Sequence, residues 1–188
     1  MSVKELIAEI KSNDAKQRSD AWYAAGPVGA DGIAPLAAVM AEMDAVEIEV
    51  ARAAKNAMWT IVRYASRPAA TAEEIRGVIE ALHPLLGDDK PDFVRTEVLW
   101  MVSEIGGDES VELIAKVMGN PSLIEDARCA LERIPGDKSL GALKAALQKV
   151  PKEFQSNVAQ SLRFRGVKLD ENRYPCKKLT PTLSSTGR

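Results

Sequence analysis

The chain has one histidine, His83, and two cysteines, Cys129 and Cys176, among 188 residues. Two isolated cysteines make neither a disulfide framework nor a Cys-x-x-Cys pair. One histidine excludes chemistry that needs several. Glu80 and His83 form a single Glu-x-x-His spacing, whereas helical di-iron sites need two such motifs and further carboxylates. A zinc site from His83, Cys129 and Cys176 has no local ligand pair. No Gly-x-Ser-x-Gly is present, and a Ser-His-Asp triad would have to use His83. The stretch GPVGADG lacks the strand context and the lysine of a phosphate-binding loop, so it reads as a turn. No cofactor or metal is therefore expected. No apolar run reaches the roughly 18 residues of a membrane span. The opening MSVKELIAEIKSND is charged and has no apolar signal core. These features predict a reduced, cytoplasmic protein.

Aromatics make up only 5% of the chain, against 46% hydrophobic and 28% charged residues. Alanine is abundant. It has the best helix propensity, and its small side chain lets helices approach closely. No segment alternates apolar and polar residues with β-branched enrichment, so the expectation is all-α. Ser2 with Glu5 is a capping box ahead of a short helix near 3–11. Helix–turn–helix units follow near 14–26 and 32–43, 46–66 and 71–86, 92–105 and 109–118, and 121–134 and 138–149. A last helix near 152–165 ends the series. Gly26, Gly29 and Gly32 are expected to supply positive φ in the first turn.

The units repeat in sequence. An offset of 77 places Arg18 on Arg95, Ala21 on Val98, Ala25 on Val102, Gly29 on Gly106 and Leu36 on Leu113. An offset of 29 places Gly107-Asp108 on Gly136-Asp137, Ser110 on Ser139 and Ile105 on Ile134. Apolar positions and turn glycines are what a stacked packing unit has to preserve. The stretches QRSDAWYAAGPVGADGIAPLAAVM and FVRTEVLWMVSEIGGDESVELIAKVM resemble short bacterial HEAT repeats of the phycobilisome-lyase-like type. The resemblance covers about residues 14–166. It implies a right-handed α-solenoid of about four to five helix pairs, and a scaffold, adaptor or regulator rather than an enzyme. Repeat four departs from the pattern, with Ile124 in place of the arginine and Pro135 in place of the first glycine.

Three aromatics share one register. Offsets of 77 and 41 place Tyr23 and Trp59 on Trp100. On a helical wheel Trp100 points away from the stripe formed by Val94, Val98, Met101, Val102 and Ile105. Such a ladder is either a second packing face or a stacking surface for a ligand, peptide or base; packing is the favoured reading. Trp100 with Arg95 and Glu104 also allows a comparison with HEAT-like alkylpurine DNA glycosylases, without a full motif. Arg18 and Arg95 are expected to pair with Asp14 and Asp92 along their own helices.

Charge is uneven. Residues 1–127 carry 12 basic and 22 acidic side chains, and residues 128–188 carry 13 and 5. The acidic part would repel DNA phosphates. The basic end suits an acidic protein partner or head-to-tail self-association. Its candidate contacts are Arg163, Arg165, Lys177 and Lys178. The expected organisation is a solenoid over 1–169 and an extended, polar, basic tail over 170–188. The expected function is a protein-interaction or scaffolding module, with nucleic-acid binding as the alternative.

Overall fold

The computed structural model describes residues 1–42 and 48–176, and every regular element among them is helical. The helices are α1 (Val3–Ile10), α2 (Ala15–Tyr23), α3 (Ala30–Ala41), α4 (Ile48–Ala65) and α5 (Ala72–Leu82). They continue as α6 (Asp92–Ile105), α7 (Val111–Val117), α8 (Ile124–Arg133), α9 (Asp137–Leu147) and α10 (Lys152–Phe164). Short 3-10 turns at Gly26–Val28, His83–Leu86 and Pro121–Leu123 complete the set.

Local chemistry sets many of the boundaries. Ser2 Oγ accepts from the Glu5 amide while the Glu5 carboxylate accepts from the Ser2 amide, closing the predicted capping box. Thr71 and Glu74 repeat the device at α5. Arg67 and the Thr71 cap hold the Glu74 carboxyl down at about 2. Pro84 breaks α5 into a 3-10 turn.

The turn glycines act in two different ways. Of the three expected to take positive φ, only Gly29 does, at 67°. Gly26 is needed for space, because a Cβ there would lie 2.8 Å from the Tyr64 ring. Gly32 brings α3 against Ile61 of α4, where a Cβ would sit 3.0 Å from Ile61 Cδ1. Close approach, rather than backbone handedness, selects glycine at those two positions.

The even-numbered helices form one layer, in which α2 packs on α4, α4 on α6, α6 on α8 and α8 on α10. Each odd helix from α3 to α9 seats on the even helix that follows it. In the odd layer α3 packs on α5 and α7 on α9, whereas the turn His83–Leu86 packs on both α5 and α7. A single cluster of buried side chains runs from Leu6 of α1 through Met58, Met101 and Leu131 to Leu162 of α10. In α4 the buried alanines 51, 53, 54, 57 and 65 make room for neighbours on several sides.

Of the repeated arginines, Arg95 makes its expected pair and Arg18 does not. The Asp14 carboxylate caps α2 by accepting from the Lys16 and Gln17 amides. Arg18 donates instead to the Ser12 carbonyl at 2.7 Å. Arg95 does reach Asp92, at 3.4 Å, but holds Asp88 more closely, at 2.8 Å. Both arginines lie in the core face and tie down the turn before their own helix.

Candidate functional site

The aromatic ladder lies on the even-helix layer, where each half-buried tryptophan faces the next helix. Trp59 of α4 donates its indole N–H to Glu97 Oε2 of α6 at 3.0 Å. Trp100 of α6 donates to Asp126 Oδ1 of α8, also at 3.0 Å. Lys55 pairs with the other Glu97 oxygen at 3.3 Å, and the Arg63 guanidinium sits over the Trp59 ring at 5.3 Å. Arg133 lies over Trp100 at 5.9 Å and bonds Glu104. At the α8–α10 step the stitch changes chemistry: Arg128 and Glu132 both bond the buried Ser161 hydroxyl. Beside it, burial pushes the Cys129 thiol up, with Arg128 pulling against it.

The α2 step is different again. Tyr23 is 68% exposed and stacks on Trp22, with ring centroids 3.6 Å apart. Trp22 is the residue that lines the cleft between α2 and α4, together with Asn56. The structure thus brings Trp59 and Trp100 into one row and leaves Tyr23 outside it. The acidic partners Glu97 and Asp126 escaped the sequence reading. The signal for them was present, since the offset of 29 places Glu97 on Asp126.

Arg95, Trp100 and Glu104 do not converge. Arg95 is only 3% exposed and bonded to Asp88 and Asp92, while Trp100 and Glu104 are engaged by Asp126 and Arg133.

Arg163 and Arg165 are turned inward. Arg165 donates to the carbonyls of Leu131, Glu132, Ile134 and Gly136 and to Ser139 Oγ. The Leu131 and Glu132 carbonyls lie in the last turn of α8, where helix geometry leaves them without intrahelical partners, whereas those of Ile134 and Gly136 also accept from Ser139 Oγ. Arg163 donates to the Tyr174 carbonyl. Tyr174 is buried, and its hydroxyl accepts from Gln148 at 3.2 Å. Lys177 and Lys178 lie outside the described residues.

His83 occupies a second location of chemical interest. Its Nε2 is 3.0 Å from Ser110 Oγ. Burial lowers the His83 pKa, against the pull of Glu109 and Glu80. The resemblance to a hydrolytic pair ends at access, because Ser110 is 0% exposed and no substrate atom can reach its oxygen. Around His83 a groove of about 710 Å3 opens between α5 and the α6–α7 turn.

Among the described residues, no group of three or more His, Cys, Asp or Glu side chains is placed to hold a metal. No helix among them is long and apolar enough to cross a membrane. The chain matches no protein-family model and no curated protein.

Proposed function

We propose that the chain is a right-handed, HEAT-like α-solenoid that works in the cytoplasm as a protein-interaction or scaffolding module. The observation that carries this reading is the repeated stitch of the even-helix layer. Trp59–Glu97 and Trp100–Asp126 join successive helices by the same donor, acceptor and distance. A fold that reuses a nearest-neighbour interface, here at the α4–α6 and α6–α8 steps, presents long surfaces, and binding is what such surfaces commonly serve. The charged side chains beside the two rings, Lys55, Glu97, Asp126 and Arg133, are each engaged within the fold.

Two measurements test the proposal. A compact domain of this length has a radius of gyration of about 16 Å. Four to five helix pairs stacked roughly 10 Å apart should give about 18 Å or more in solution scattering. A value at the compact figure would remove the solenoid. For function, a photoreactive residue in place of exposed Tyr23 or Phe164 should cross-link a defined protein inside the native cell. Adducts with nucleic acid alone would replace this reading by the nucleic-acid one, and no specific adduct at all would remove both.

A further inference from the structure

The groove beside His83 opens where α5 gives way to the turn His83–Leu86. That turn continues α5 directly and packs on α7. His83 fixes it there through its bond to Ser110, the residue that opens α7. Ile75 and the buried Ile79 of α5 line the opening together with Ile105 from the end of α6. Ile75 and Ile105 remain half-buried, and among the described residues no further helix lines the opening. The volume, about 710 Å3, falls inside the roughly 300–1,000 Å3 range of ligand sites.

The polar lining has a sign. Glu80 and Glu109 both face the groove, and neither has an ion-pair partner among the described residues. Glu109 accepts from the Gly107 amide through one oxygen, at 2.7 Å, which leaves its second oxygen for an incoming donor. Arg76 lies one turn before Glu80 on α5 and pairs with neither carboxylate. A cation is therefore drawn toward the His83 end and repelled from the Arg76 end.

We propose that this groove docks a segment of a partner protein that carries lysine or arginine beside aliphatic side chains. The aliphatic groups lie on Ile75, Ile79 and Ile105, and the cation meets Glu80 and Glu109. The assignment rests on the reading of the chain as an interaction module and names the chemistry of one partner segment. Phosphate-rich partners are disfavoured by the two carboxylates.

The test uses the intact chain with labelled isoleucine methyls and the peptide acetyl-Leu-Lys-Leu-Leu-Lys-Leu-amide as probe. Saturable shifts are expected at Ile75, Ile79 and Ile105. Acetylating both lysines, or the pair of substitutions Glu80→Gln and Glu109→Gln, should weaken binding about tenfold or more, the loss expected when a close charge pair is removed. The proposal is overturned if those methyls show no saturable shift, or if the acetylated peptide binds equally well. It is overturned too if the same methyls shift with protein concentration alone, since a second copy then fills the groove. The in-cell cross-linking from Tyr23 and Phe164 does not depend on these residues, so the groove and the module reading fail separately.

Discussion

Trp100 and Asp126 join α6 to α8 through a single indole hydrogen bond of 3.0 Å, and the same carboxylate takes a weaker bond from Thr96 at 3.4 Å. A hydrogen bond to a charged acceptor contributes about 1.5–3 kcal/mol when buried, and partial exposure puts this one at the lower end. Trp100→Phe keeps most of the ring and should cost about 1–1.5 kcal/mol in urea unfolding. Trp100→Ala should cost about 3 kcal/mol, the low end for a truncated packed aromatic. A double-mutant cycle of Trp100→Phe with Asp126→Asn should show about 0.5–1.5 kcal/mol of coupling. Zero coupling would mean that the ring packs and the bond contributes nothing.

Gly29 and Gly106 are equivalent in sequence, yet they should fail for different reasons. Gly29 has φ 67° and ψ −152°, a region essentially reserved for glycine, with open space around it, so any L-residue pays for handedness, about 1–3 kcal/mol. Gly106 has φ −77°, but a Cβ there would lie 2.6 Å from the Val102 carbonyl oxygen and 2.8 Å from Ser110 Oγ. Gly106→Ala should therefore cost about 1–3 kcal/mol through displacement of α7. Asparagine should therefore be no better than alanine at position 29, where handedness is the whole penalty, whereas at position 106 the cost should grow from alanine to asparagine as the side chain grows. A cost that grows with side-chain size at position 29, or one that does not at position 106, read from thermal melts, would refute the distinction.

Helix positions were legible in the sequence because capping residues, prolines and 3.6-residue periodicity are local signals. Ser2 and Glu5 close their capping box where it was read. The partners of polar side chains were not legible, because they depend on how one helix lies against the next. Tyr23 and Trp22 differ by one residue, about 100° of helix, and only packing decides that Trp22 faces α4. The same limit applied to Arg165. Its place at the end of α10 suggested an exposed cation, and its reach to α8 could not be seen from spacing.

Arg165 should behave as a structural residue. It serves the carbonyls of Leu131, Glu132, Ile134 and Gly136, some of which water can reach when the guanidinium is gone. Arg165→Met should cost about 2–3 kcal/mol, since unsatisfied buried acceptors carry about 1–3 kcal/mol each. Arg165→Lys should recover only part of this, because an ammonium cannot span several carbonyls as a planar fork does. Hydrogen exchange of the last turn of α8 should accelerate in both variants. Unchanged stability in Arg165→Met would return this side chain to the list of free contacts for a partner.

His83 should give the chain a pH-dependent stability that a single resonance can follow, because no other histidine is present. Burial lowers its pKa below the 6.5 of a free imidazole, while Glu109 and Glu80 oppose the shift. Between the folded pKa and 6.5 the unfolded chain binds more protons than the folded chain. Stability therefore rises with pH through that window. The contribution is complete above 6.5 and is lost as the pH falls toward the folded value. In urea unfolding at pH 7.5 and about pH 5, wild type should lose more stability than His83→Gln, which keeps a group for Ser110 and cannot titrate. The imidazole carbon-bound proton should titrate below 6.5 in the folded protein. A midpoint at or above that value would show that Glu80 and Glu109 outweigh burial. The contact of the His83 turn with α7 would then tighten on acidification rather than loosen.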